Sequence, residues 1–111
     1  MAINYLTTKI RGNDWKVYVQ TPSAYSRKHG KDSKAVTYPD DREMWFDRSE
    51  AKLAIIKHEV GHAFLWTTDT EHNAEMSAND WEDLFCTVYG NNSTEMMRVT
   101  EEIVDFILKG K

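Results

Sequence analysis

The sequence has few of the residues that cross-link or interrupt small folds: one cysteine, two prolines and five glycines among 111 residues. With Cys86 alone, no disulfide can form within the chain, and a reducing compartment such as the cytoplasm is the expected setting. No apolar stretch approaches the roughly 20 residues of a membrane span, and the mean hydropathy is −0.65. The first residues, MAINYLTTKIRGNDW, lack the apolar run of a signal peptide. These absences predict a soluble cytoplasmic protein without a membrane partner.

An excess of positive charge is missing as well. The chain carries 14 basic and 18 acidic side chains, a net charge of −4, so it has no general attraction for phosphate backbones. One exception is a basic segment, residues 26–34, where four basic side chains surround Gly30. We interpret it as a solvated loop between strands, because Tyr25 is the only aromatic residue beside it. Nucleic acid is therefore not an expected partner.

The composition that remains predicts one α+β domain over residues 1–111. Charged residues make up 29% and hydrophobic residues 41% of the chain, which is ordinary for a protein with a buried core. Residues 1–48 have mainly strand character, and in WKVYVQ the residues Trp15, Val17 and Val19 share one face. We predict a small antiparallel or mixed sheet of three or four strands, followed by three helices. The segment EMWFD is expected to be an edge strand beside the first of these helices.

Three helices are predicted after the strands, at residues 49–66, 78–90 and 94–109. The first is apolar over much of its circumference, so we expect it to be largely buried. The second is expected to end at Gly90, which two asparagines follow. The third has an inner face of Met, Ile, Val and Leu residues and ends before Gly110.

The first of these helices contains KHEVGH, residues 57–62. A helix turns by about 100° per residue, so His58 and His62 lie one turn apart on one face, where both imidazoles can reach one ion. Catalytic zinc sites use three protein ligands and leave one position for water. Glu59 is offset from His58 by about 100°, which suits a general base acting on the zinc-bound water. The alternative is a pair of core histidines, but three polar groups in an apolar helix would need partners there.

A third zinc ligand has to come from another part of the chain. Position 68 is a threonine, which excludes the third histidine of a metzincin. We select Glu82, 20 residues after His62 and early in the next helix, because the turn before it can fold the chain back over the metal. Asp83, Glu75 and His72 stay open as alternatives.

Two further residues near Glu82 are candidates for chemistry. Cys86 lies one turn beyond it, but a lone cysteine usually packs as a small hydrophobe. Tyr89 lies another turn along, and we interpret it as a core or rim residue, with contact to a substrate oxyanion as the functional alternative.

The segments EMWFDRSE, AIIKHEVGHAFLW and WEDLFC together resemble the minimal gluzincin-type zinc metallopeptidases of phages and mobile elements, which are related to the ImmA/IrrE group. The resemblance covers about residues 43–89 and is specific only at HEVGH. It implies a zincin-like fold, His58 and His62 as zinc ligands, Glu59 as base and Glu82 as third ligand. Such proteins often have an aspartate four residues after the ligand glutamate, where this chain has Cys86.

The expected function is therefore zinc-dependent hydrolysis of peptide bonds, with a protein or peptide as substrate. The alternative is a metal-containing binding protein without proteolytic activity that acts on a host or regulatory protein. An open coordination position would favour the enzyme, whereas a fourth protein ligand would favour the binding protein. No feature of the sequence points to a particular oligomeric state.

Overall fold

The computed structural model describes residues 4–68 and 78–110, with the helical backbone alone for residues 67, 68, 78–82, 84 and 85. The elements follow in the order β1 (Tyr5–Ile10), β2 (Asn13–Gln20), α1 (Pro22–His29), β3 (Ala35–Tyr38), β4 (Glu43–Asp47), a 3-10 turn (Arg48–Glu50), α2 (Leu53–Thr68) and α3 (Ala78–Lys109). The predicted α+β class, with a four-stranded mixed sheet and three helices, is confirmed. One helix, α1, lies between the second and third strands.

The strands form one sheet in the order β1-β2-β4-β3. β1 and β2 are an antiparallel hairpin, β2 and β4 are parallel, and β3 is antiparallel to β4. The hairpin turns at Arg11 and Gly12, whose positive φ angles of 50° and 85° suit a tight two-residue turn. The prediction that EMWFD is an edge strand is wrong. The connection through α1 leaves the position beside β2 open for β4, so β1 and β3 become the edges.

α1 replaces the first part of the loop that the sequence predicts at residues 26–34. The Thr21 side chain accepts a hydrogen bond from the Ala24 backbone N–H at 3.4 Å, and Pro22 begins the helix with its φ already restricted. Basic side chains in the last turn interact favourably with the negative end of the helix dipole. Gly30 ends the helix at a φ of 88°. The loop prediction fails because caps, and not hydrophobic periodicity, define this short helix.

Two basic side chains of residues 26–34 are engaged within the chain. Lys28 Nζ lies 3.8 Å from the centroid of the Trp45 ring, on the sheet face that α1 covers. Lys34 Nζ lies 3.8 Å from a carboxylate oxygen of Glu50. In the same region, His29 Nδ1 lies 2.9 Å from the Tyr38 hydroxyl. Burial lowers the pKa of His29 and the charge of Lys28 lowers it further, so this histidine is neutral at pH 7.

The other face of the sheet packs against α2 and α3 and forms the core. Trp15 and Val17 share this face as predicted, and both are buried together with Met44 and Phe46 from β4. The helices complete the core with Ile56, Val60, Ala63, Phe64, Val88, Met96, Val99, Ile103 and Ile107. α2 is less completely buried than predicted, since Leu53 is 53% exposed. One side of this helix is therefore accessible from outside.

α2 begins at Leu53, later than the predicted residue 49. The cause is Asp47, whose Oδ1 accepts hydrogen bonds from the backbone N–H and the hydroxyl of Ser49 at 2.9 and 2.8 Å. These bonds cap the 3-10 turn at Arg48–Glu50 instead of the α-helix. Among the described residues, no helix has the length and apolar character of a bilayer span.

α3 is one continuous helix of 32 residues, although the sequence predicts two helices that separate after Gly90. Asn92 does not end the helix, because its side-chain amide donates to the Val88 carbonyl at 2.8 Å. A stripe of buried side chains continues across the predicted break, with Val88, Met96, Val99, Ile103 and Ile107. Burial of several such side chains outweighs the roughly 1 kcal/mol that a glycine costs within a helix.

A polar cluster joins the C-terminal half of α3 to β1. We call it the β1–α3 clamp, and it consists of Thr8, Lys9, Arg98 and Glu102. Glu102 accepts from Thr8 Oγ1 at 2.6 Å and from Arg98 Nη1 at 2.7 Å, and Arg98 Nη2 donates to the Lys9 carbonyl at 2.6 Å. Burial on its own would raise the pKa of Glu102, but the bonds from Thr8 and Arg98 outweigh it and lower that pKa. The clamp fixes α3 against the edge of the sheet.

Candidate metal centre

α2 presents His58 and His62 together on its accessible side. Their Nε2 atoms lie 3.0 Å apart, and their ring planes meet at 83° with centroids separated by 4.6 Å. His58 is exposed. The spacing predicted from helix geometry thus brings one nitrogen of each ring to the same place.

Glu59 lies beside this pair and is turned toward the sheet. Its side chain is buried, with 7% of the residue exposed. Thr37 Oγ1, on β3, donates a hydrogen bond to Glu59 Oε1 at 2.6 Å. One ligand atom from each of His58, Glu59 and His62 lies within 4.8 Å of the other two. The carboxylate is therefore close to the two imidazoles and held by a different element of the fold.

The donor set fits a zinc ion. Two nitrogens that each bind zinc at about 2.0–2.1 Å with tetrahedral angles lie roughly 3.3–3.4 Å apart. The observed separation of 3.0 Å between the two Nε2 atoms differs from this by a few tenths of an ångström, which small rotations of the side chains can supply. Imidazole nitrogens and a nearby carboxylate are also the groups that zinc sites in hydrolases use.

The candidates for the third ligand fall mostly outside the described residues. α3 includes positions 82 and 83 near its start, as predicted. The side chain of Glu82 is not among those described. His72 and Glu75 lie in the segment between α2 and α3 that is not described. Asp83 is described, is exposed, and does not belong to the group formed by the two histidines and Glu59. The structure therefore gives Asp83 no support, and Glu82 stays a prediction.

A groove of about 710 Å³ lies between α2 and α3, with His58 in its wall. Three large apolar side chains that line it are exposed: Leu53, Tyr89 and Met97, by 53%, 54% and 61%. Exposed apolar surface that is gathered in one place commonly marks a binding surface. We call this feature the α2–α3 groove. The α2–α3 groove is thus a concave apolar surface beside the histidine pair.

β3 packs against α2 at Glu59 and has a free edge. It pairs with β4 on one side, and the described residues place no strand on the other. Thr37 lies within this strand of four residues. An extended peptide can add to such an edge through backbone hydrogen bonds. The edge strand next to the motif helix is thus β3, in place of the predicted EMWFD.

Cys86 and Tyr89 both lie on the surface of α3. Cys86 is exposed and free, so the prediction that it packs as a small hydrophobe is wrong. It is two residues from the buried Val88 and is therefore rotated by about 200° from it around the helix. Tyr89 belongs to the wall of the α2–α3 groove, which agrees with its interpretation as a rim residue.

Tyr25 of α1 is fully buried, and its hydroxyl lies 2.8 Å from Ser33 Oγ. Burial raises the pKa of Tyr25, the hydrogen bond with Ser33 lowers it in part, and the negative charge of Glu59 raises it. The phenol of Tyr25 is therefore neutral at pH 7.

Thr37 is the residue of this site that sequence reasoning missed. The pattern KAVTY predicts a strand, and alternation places Ala35 and Thr37 on the same face. Nothing local indicates that this face meets Glu59, which lies 22 residues further along the chain. A hydroxyl on the core-facing side of a short strand is the only signal, because such a group has to find a partner when it is partly buried.

In comparisons with models of known families, with curated proteins and with solved structures, the chain has no significant match.

Proposed function

We propose that the chain is a zinc-dependent metallopeptidase of zincin-like architecture that acts in the cytoplasm on a protein or peptide. His58, His62 and Glu82 are its zinc ligands, and Glu59 is its general base. The observation that carries this proposal is the 3.0 Å separation of the two Nε2 atoms, with a carboxylate oxygen of Glu59 within 4.8 Å of a ring nitrogen of each histidine. The resemblance of HEVGH and its flanking segments to gluzincin-type peptidases supports the same assignment. The single exposed thiol, Cys86, suits a reducing compartment.

Glu59 carries the proton transfers. Bound zinc would polarise the scissile carbonyl and lower the pKa of water toward 7. Because Glu59 Oε1 already accepts from Thr37, Oε2 is the oxygen that would take a proton from the attacking water. The same carboxyl group would then deliver this proton to the amide nitrogen as the C–N bond breaks. One water is consumed, and the products are a carboxylate and an amine.

Two surfaces beside the metal centre support a peptide as the substrate. The free edge of β3 offers backbone groups to an extended chain, and it lies next to Glu59 through Thr37. The α2–α3 groove offers apolar surface for side chains and shares His58 with the metal centre. A chain bound along β3 would therefore have its backbone near the base.

The test combines zinc content with peptide cleavage for the wild type and Glu59→Gln. The wild type should hold about one zinc per chain and cleave members of a library of unstructured peptides, as measured by mass spectrometry. Glu59→Gln should keep the zinc, because Glu59 is not a ligand, and lose at least about 100-fold in turnover, as expected for a lost general base.

The matched control is Glu50→Gln, which removes a partly exposed carboxylate paired with Lys34 at 3.8 Å and should change neither quantity. If Glu59→Gln retains zinc and cleaves at the wild-type rate, Glu59 is not the base. A wild type that holds zinc but cleaves nothing would favour the alternative, a metal-containing binding protein acting on a host or regulatory protein.

A further inference from the structure

The hydrogen bond between Thr37 and Glu59 leaves one carboxylate oxygen held and the other available. Thr37 Oγ1 lies 2.6 Å from Oε1 and 3.5 Å from the backbone oxygen of Glu59. A hydroxyl has one proton, and the shorter contact has the length of a strong charge-assisted bond. Among the described residues, Oε2 has no hydrogen-bond partner. The bond therefore orients the carboxylate without blocking its second oxygen.

β3 gives the Thr37 hydroxyl a fixed position. Thr37 pairs in register with Met44 of β4, and Met44 is fully buried in the core. A β-branched side chain also has few accessible χ1 values. Glu59 has a longer and more flexible side chain, whose ordering has an entropic cost. The strand, more than the helix, therefore decides where the carboxylate of Glu59 points.

We propose that Thr37 is a positioning residue that acts through Glu59: by holding Oε1, it directs Oε2 toward the water that attacks the peptide bond. This inference rests on the proposed function, because it assigns Thr37 a part in that reaction. β3 would then have two roles, because the strand that positions the base through Thr37 is also the strand whose free edge would bind the peptide.

Thr37→Val and Thr37→Ser test the inference. Valine keeps the shape of the side chain and removes the hydroxyl, so kcat should fall by roughly 10- to 100-fold, the usual effect of losing an outer partner at a metal site. KM and zinc content should stay within about twofold of the wild type. Thr37→Ser restores a hydroxyl and should recover most of kcat. A kcat that is unchanged in Thr37→Val, or is not recovered by Thr37→Ser, overturns the proposal.

Thr8→Val is the matched control. Thr8 donates to Glu102 at 2.6 Å, the same distance as the Thr37 bond, but at the opposite edge of the sheet. Its loss should lower the melting temperature and leave kcat unchanged. If Thr8→Val lowers kcat as much as Thr37→Val does, the effect of Thr37 is one of general stability, and the proposal is wrong.

Crystal structures of the zinc-loaded wild type and Thr37→Val provide a readout that does not depend on activity. The carboxylate of Glu59 should keep its bond to Thr37 in the wild type and be displaced, or occupy several positions, in the variant. A carboxylate in the same single position without the hydroxyl contradicts the inference, even if no peptide is cleaved and the proposed function itself has failed. Thr37→Ala is examined in the same way if Thr37→Val does not fold.

Discussion

Two glutamates, Glu59 and Glu102, each accept a hydrogen bond of 2.6 Å from a threonine on an edge strand, at opposite edges of the sheet. In the β1–α3 clamp, the second oxygen of Glu102 accepts from Arg98 at 2.7 Å, so both oxygens are engaged and the charge is balanced. At Glu59, the described residues supply neither a second hydrogen bond nor a cation. A hydrogen bond from a threonine therefore does not by itself distinguish a structural glutamate from a candidate catalytic one. The two glutamates differ in the partners of their second carboxylate oxygen.

Glu59 and Glu102 differ in their electrostatic surroundings. A buried carboxylate needs a positive partner or several hydrogen bonds to offset its lost hydration. Glu102 receives these from within the chain, so the clamp contributes to stability. Glu59 is 7% exposed and lies within 4.8 Å of ring nitrogens from His58 and His62. Under the proposed function, a zinc ion bound there would supply the positive charge that the described residues do not.

The largest effect is expected from a substitution at Glu82. If Glu82 is the third ligand, Glu82→Gln should weaken zinc binding by at least about 100-fold, since even outer partners of a metal site contribute 10- to 100-fold. Turnover should be lost with the metal. Zinc affinity is measured by competition with a chromogenic chelator. The control is Asp83→Asn at the neighbouring, exposed position, which should retain both properties. Zinc lost from the Asp83 variant alone would transfer the ligand role to that residue.

A smaller effect is expected from Glu102→Gln, and on stability only. The free energy of unfolding should fall by about 1 kcal/mol at pH 7, because a partly exposed charged hydrogen bond contributes about that much. Turnover should not change. Folding lowers the pKa of Glu102, so this contribution is present above the unfolded-state pKa of about 4.3 and is lost as the pH falls through the folded-state pKa.

Urea unfolding of the wild type and Glu102→Gln at pH 7 and at about pH 3.5 measures this dependence. The difference between the two proteins should be larger at pH 7 and should shrink at the acidic pH. A difference that grows on acidification would contradict the assigned direction of the pKa shift. A fall in turnover would mean that the clamp and the metal centre are not independent.

The smallest effect is expected at Gly90, in the helix that carries both Glu82 and the clamp. Gly90→Ala should raise the free energy of unfolding by about 0.5–1 kcal/mol, because alanine favours a helix interior and no described atom from elsewhere in the chain lies within 4 Å of the added Cβ. Gly12→Ala is the control and should destabilise, since Gly12 has a φ of 85°. Destabilisation by Gly90→Ala would indicate that the helix ends there.

Local patterns explain the parts of the fold that the sequence predicts correctly. Strand alternation places Trp15 and Val17 on the core face, and helical periodicity places His58 and His62 one turn apart. The errors arise where a local signal competes with a non-local one. Gly90 and the asparagines after it have the character of a helix end, but the buried stripe through α3 outweighs them. The central position of β4 depends on its parallel pairing with β2, which no short pattern specifies.

The arrangement of His58, Glu59 and His62 follows from the sequence, because a helix fixes the relative directions of residues one and four positions apart. The tertiary contacts set which glutamate has partners at both carboxylate oxygens and which has a partner at one oxygen only among the described residues. Thr37 reaches Glu59 across 22 residues, and Thr8 reaches Glu102 across 94. The physical reason is that contacts over such separations depend on how the sheet is ordered and how the helices pack on it, and neither has a period that can be read along the chain.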